Sequence, residues 1–170
     1  MKHALSRPAP VYAPGAGLLR NDHFQMAYAT TDIDRACALF EQRYGIKEWR
    51  RLEGPLAAGG QIRIELGWAG GTMYELVWAE GPGSEVFSAG LPTEGFAVKH
   101  HHLGFYVPTA EAFEAIKAEV AAQGLKILHI TDVPGFMQAI IVDTPELGHY
   151  LEYLFPAEAG VAFFEGTPSN

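Results

Sequence analysis

Three features of the sequence predict an α+β fold made of two βαβββ modules. Ligand-type residues recur in two like pairs, His23 with Glu75 and His102 with Glu152, separated by 52 and 50 residues. Each His opens a short apolar run, HFQMAY or HLGFYV, and a helix start and an amphipathic helix follow within a few residues. Each helix is then followed by three strand-like runs set apart by turn residues. The same order is read twice, as in an internal duplication.

The elements can be justified in turn. The first strand is expected over 23–29. Thr31 with Asp34 supplies a capping pattern for the next helix, since a side-chain oxygen there can accept from an unpaired first-turn N–H. Ile33, Ala36, Cys37, Phe40 and Tyr44 fall on one face of that helix, and Gly45 ends it. Strands are expected over 47–53, 61–68 and 72–79, with Gly70 and Gly71 forming a hairpin signal between the last two. Residues 81–98, rich in Gly, Pro and Ser, read as a linker between a first module over 21–80 and a second over 99–156. In the second module a strand over 101–107 leads to Pro108 and Thr109, which start a helix with Phe113, Ile116 and Val120 inward and Gly124 at its end. Strands over 125–133, 136–144 and 149–155 complete it. Residues 1–20 read as a loosely docked arm, and 157–170 as a tail whose Val161, Phe163 and Phe164 have no assigned partner.

Composition narrows the function. A chain of 170 residues with 48% hydrophobic and 19% charged residues is globular. Its formal charge of −8 and lack of a basic run argue against nucleic acid or an anionic membrane as partner. No apolar stretch reaches the roughly 18 residues of a membrane span, and the N-terminal segment lacks the apolar centre of a secretory signal. The single cysteine, Cys37, fits a reducing compartment, and a cytoplasmic protein is expected. Cys37 lies on the apolar helix face, which favours packing over reactivity.

The recurring pairs carry the chemistry. Two imidazoles and two carboxylates from equivalent halves can meet at one point, and such nitrogen and oxygen ligands suit one divalent ion (Zn, Ni, Co, Mn or Fe) with open coordination positions. The expected metal ligands are His23, Glu75, His102 and Glu152. His100 and His101 compete with His102, but strand alternation sends His101 to the opposite face, and His149 is expected to face away from the cavity.

The segments DHFQMAYATTDIDRACALFEQRYGI, TMYELVWAEGP, HHLGFYVPTAEAFEAIKAEVAAQGL and VDTPELGHYLEYL, spanning roughly 23–155, resemble the vicinal oxygen chelate superfamily. That superfamily includes glyoxalase I, methylmalonyl-CoA epimerase, extradiol dioxygenases and bleomycin-resistance proteins. The resemblance implies that the two modules form curled mixed sheets around a shared cavity, with the helices outside, and that the chain forms a homodimer. It also implies that Glu75 and Glu152 serve both as ligands and as catalytic proton carriers. Bacterial glyoxalase I typically has an Arg and an Asn where this chain has Ala27 and Ala79, which disfavours glutathione as substrate. Gln25, Arg63, Tyr106 and Gln138 are the expected substrate-binding residues.

The expected function is that of a metal-dependent enzyme, a glyoxalase- or epimerase-like lyase or isomerase. It would move a proton next to a carbonyl of a small-molecule substrate by way of a metal-bound enolate. The alternatives are an extradiol-type ring-cleaving dioxygenase and a non-catalytic binder of the bleomycin-resistance kind.

Overall fold

The computed structural model describes residues 6–170. Eight strands form one mixed sheet that curls into a half-barrel. They are β1 (Asp22–Thr30), β2 (Arg50–Pro55), β3 (Gln61–Ala69), β4 (Thr72–Glu80), β5 (Val98–Tyr106), β6 (Ile127–Val133), β7 (Met137–Val142) and β8 (Tyr150–Pro156). The helices are α1 (Ile33–Tyr44), α2 (Glu85–Ser88), α3 (Ala110–Ala122) and α4 (Glu158–Glu165). The order across the sheet is β2-β3-β4-β1-β5-β8-β7-β6. β1 runs parallel to β4 and β5 parallel to β8, while β1 and β5 pair antiparallel at the centre. The sheet therefore has a pseudo-twofold axis between β1 and β5.

α1 and α3 pack on the convex face. Twelve or thirteen residues make a marginal helix in water, so burial of an apolar stripe has to stabilise each one. In α1, Ile33, Ala36 and Phe40 pack against Leu76 with Tyr28 and Tyr74 alongside, and one buried Phe contributes ~2–3 kcal/mol. In α3, Ala112, Phe113, Ile116 and Val120 pack on Phe105, Leu151 and Tyr153. The α1 cap is Asp32, whose side chain accepts from Arg35 N–H at 3.0 Å, and not Thr31. The Thr31 hydroxyl instead accepts from Ala97 N–H and donates to the Gly95 carbonyl, tying the end of β1 to the approach to β5. Gly45 ends α1 with φ 76°, a conformation that L side chains avoid.

Both terminal segments are part of the fold. The first five residues of the expected N-terminal arm lie outside the described residues. Further along it, Leu18 is buried in the α3 core, and its carbonyl accepts from the Tyr153 hydroxyl at 2.9 Å. At the other end, α4 bridges the two halves. Ala157 N–H donates to the Phe136 carbonyl, Trp68 Nε1 donates to the Phe164 carbonyl, and Asn170 Oδ1 accepts from Lys47 and Glu48 N–H. These last contacts explain why β2 starts at Arg50 and not at residue 47: the tail takes the donors that a longer strand would use. The segment read as a linker carries α2, whose Phe87 packs into the concave face against Ala29, Val77 and Ile141. Among the described residues no helix is long and apolar enough to cross a membrane.

Candidate metal centre

Glu75, His102 and Glu152 meet on the concave face, with one ligand atom from each lying within 4.8 Å of the others. Register explains the meeting. Ala27 of β1 pairs with both Glu75 of β4 and His102 of β5, and Gly104 of β5 pairs with both Gln25 of β1 and Glu152 of β8. A constant offset of 77 residues relates the halves: Glu75 to Glu152, Ala27 to Gly104, and the cap Asp32 to the cap Thr109. The same offset takes Gln25 to His102.

Gln25, and not His23, lies beside these three residues. Gln25 is 1% exposed, and its Nε2 donates to Glu75 Oε2 at 2.8 Å. A Cβ at Gly104 would collide with Gln25 Oε1 and come within 2.8 Å of its Cβ, so the missing side chain at 104 is what admits the amide. His23 is displaced by a β-bulge at Phe24: it pairs with Phe105, and Gln25 with Gly104. The His23 ring lies 5.4 Å from the Phe105 ring, which belongs to the α3 core, and Nε2 donates to the Gln25 carbonyl at 3.0 Å. His23 is thus not among the residues that meet here, and its equivalent in the second half is His100. A second bulge, at His101, likewise corrects the reading that His101 points away. His102 pairs with Ala27 and His100 with Tyr28, and His101 lies on the side of Phe87 and Tyr150.

Of the expected substrate-binding residues, Gln25 lies in the cluster, and Tyr106 shares its strand face with His102 and Gly104 at half burial. Arg63 does not reach this face. It sits on the α1 side, where Nη2 bonds Asp34 Oδ1 at 2.8 Å and Nε bonds Glu65 Oε1 at 2.9 Å, and Glu65 also accepts from Arg51. Gln138 is exposed and donates to Asp132 at 3.4 Å. Because the Glu65 side chain is 4% exposed, Arg63→Ala leaves a buried carboxylate with one partner fewer. We expect a loss of ~1–3 kcal/mol of stability in a denaturant titration and unchanged metal binding. Weakened metal binding at unchanged stability would contradict this placement.

The electrostatics of the cluster call for a cation. Burial pushes the Glu75 carboxyl up to about 7; His102 and the Gln25 hydrogen bond oppose this, and the Glu152 charge adds to it. Burial disfavours a charged His102, but the carboxylates of Glu152 and Glu75 outweigh that and raise it. His102 Nε2 stands 3.0 Å from Glu152 Oε2 without hydrogen-bond geometry, and it and Gln25 Oε1 are both buried without a partner. Buried polar atoms without partners are rare in folded proteins. Two carboxylates and an imidazole nitrogen with ligand atoms within 4.8 Å of one another, beside a buried amide oxygen without a hydrogen-bond partner, fit a divalent cation. A cleft of about 370 Å³ along α1, lined by Tyr28, Phe40, Tyr44 and Tyr74, contains none of the four. Another, of about 340 Å³, is lined by Lys99, His100, His101, His149 and Tyr150 and adjoins the cluster through His101. Cys37 is inert packing, its thiol pushed by burial up to about 11.

No protein-family model matches the sequence, and no curated protein does. Solved structures do match. Methylmalonyl-CoA epimerase from Mycobacterium tuberculosis aligns with a TM-score of 0.59 at 15% identity, over 83% of this chain and 91% of that one. A variant of the Streptomyces coelicolor methylmalonyl-CoA epimerase in complex with 2-nitronate-propionyl-CoA aligns with a TM-score of 0.56 at 14% identity, over 82% and 99%. A methylmalonyl-CoA epimerase in complex with methylmalonyl-CoA and NH4+ gives 0.57 at 14%, over 82% and 96%. These likenesses establish the vicinal oxygen chelate fold for this chain, as the resemblance read from the sequence implies.

Proposed function

We propose that the protein is a metal-dependent enzyme that moves a proton on a carbon next to a carbonyl, as an isomerase, epimerase or lyase. The observation that carries this reading is the buried set Gln25, Glu75, His102 and Glu152, in which an amide oxygen and an imidazole nitrogen lack a hydrogen-bond partner. A divalent ion held by these residues supplies positive charge that stabilises negative charge developing on substrate oxygens. Glu152, with 13% of its side chain exposed, is the more open carboxylate and takes the proton from the carbon. Glu75, oriented by the Gln25 amide and related to Glu152 by the pseudo-twofold axis, is the proposed group that returns a proton. Two carboxylates related in this way suit inversion at carbon, so an epimerisable acyl thioester is the substrate class to try first; the epimerase neighbours share the fold and support that choice. The expected assembly is a homodimer in the cytoplasm.

The test is hydrogen exchange. Metal-loaded protein in D2O should exchange the α-proton of a 2-substituted malonyl or propionyl thioester, read by proton NMR, and Glu152→Gln should lower the rate by about 10²–10⁴-fold. Dioxygen uptake with a catechol and no α-proton exchange would replace this reading with the dioxygenase one. Neither activity, with metal bound, would leave a binding protein.

A further inference from the structure

The two β-bulges occupy equivalent places in the two halves. Phe24 and His101 are related by the same offset of 77 residues, and each immediately precedes a member of the cluster, Gln25 or His102. Each meets a phenylalanine from a helix outside the repeated strands. Phe24 lies edge-on to Phe164 of α4, with centroids 5.8 Å apart, and His101 stacks on Phe87 of α2 at 5.8 Å. The chemistry differs. Beside the amide of Gln25, which has no tautomers, the bulge residue is apolar; beside the imidazole of His102, it is a second imidazole.

Hydrogen-bond direction follows from that pair. His101 Nε2 is 2.9 Å from the Val86 carbonyl, which can only accept, so Nε2 carries a proton. His101 is 3% exposed, packed against the Phe87 and Tyr150 rings, and no carboxylate is among its hydrogen-bond partners, so it is neutral and its Nδ1 is a lone pair. The 2.8 Å contact between His101 Nδ1 and His102 Nδ1 then requires the proton to sit on His102. In neutral His102 this leaves Nε2 as a lone pair, 3.0 Å from Glu152 Oε2, an arrangement that a cation between them, or a second proton on His102, relieves.

We propose that His101 is a positioning residue that holds His102 in the Nδ1–H tautomer with Nε2 free to ligate, and so links the cluster to the Val86 carbonyl of α2. The metal-binding half of this inference rests on the proposed metal centre; the tautomer does not. An outer partner of this kind typically changes metal affinity by about 10–100-fold.

The experiment uses the full chain, stripped of metal, with long-range 15N–1H NMR of the histidines at alkaline pH, followed by titration with Co(II). Wild type should show neutral His102 protonated on Nδ1. His101→Phe keeps the bulk but removes the acceptor, so the proton should move to Nε2 and Co(II) affinity should fall by about 10–100-fold. His101→Asn restores an acceptor oxygen near the Nδ1 position and should recover the Nδ1–H signal and most of the affinity. Wild-type His102 protonated on Nε2 would overturn the inference, as would a His101→Phe protein that keeps wild-type tautomer and affinity. If wild type binds no Co(II), the metal-centre reading fails, and the NMR signal still decides the role of His101 on its own.

Discussion

Gln25→Ala should weaken divalent metal binding by roughly 10–100-fold, about 1.4–2.8 kcal/mol, while His23→Ala changes it by less than about twofold. Two groups are lost with Gln25. Its Oε1 is a buried oxygen without a hydrogen-bond partner, and its Nε2 bond at 2.8 Å holds Glu75 in place. His23 offers neither, since its Nε2 donates to the Gln25 carbonyl and its ring packs on Phe105. Calorimetric titration of both variants with Zn(II) and Co(II) makes the comparison. Equal losses from both, or a larger loss from His23→Ala, would mean that β1 reaches the metal in a register other than the one described.

Glu75→Gln should stabilise the metal-free protein relative to wild type, increasingly so as pH rises. The direction follows from linkage. Burial raises the Glu75 carboxyl from 4.5 to about 7, so the folded state holds its proton more tightly than the unfolded chain does. The stability this contributes is fully present below about pH 4.5 and is lost as pH rises through about 7. Glutamine has the same shape and cannot ionise. The gap between variant and wild type should therefore be under about 1 kcal/mol near pH 5 and grow to on the order of 3 kcal/mol near pH 8, roughly 6–12 °C in Tm. Added metal should reverse the order, because wild type gains a ligand charge that the variant lacks. A gap that stays constant with pH would show that Glu75 does not titrate in the folded protein as its burial requires.

Much of this was legible in the sequence because duplication leaves paired signals. Helix caps, turn glycines and apolar alternation located eight strands and the two large helices, and Glu75, His102 and Glu152 were found from their spacing. The mismatch between separations of 52 and 50 residues marks that His23 and His102 are not equivalent positions of the two halves. Aligning the halves on Glu75 and Glu152 gives 77 and picks out Gln25. Alignment on apolar runs failed because a β-bulge at Phe24 shifts the facing of side chains by one residue, and neither bulge carries a glycine or proline to mark it. Arg63 was misplaced for another reason: its partners, Asp34 and Glu65, become visible only once α1 lies on β3. The short α2 and the α4 bridge were not legible because their anchors, Phe87 on the concave face and Phe164 against Phe24, are contacts distant in sequence.

The most direct measurement is the metal content of wild type and of Glu75→Ala/Glu152→Ala, purified without chelator or affinity tag and analysed by mass spectrometry of the metals. The four residues, if they form a metal centre, should hold about one divalent ion per chain in wild type and none in a folded double variant. A wild-type protein that binds no divalent ion even after reconstitution, or a double variant that keeps it, would contradict the metal centre on which the proposed chemistry stands.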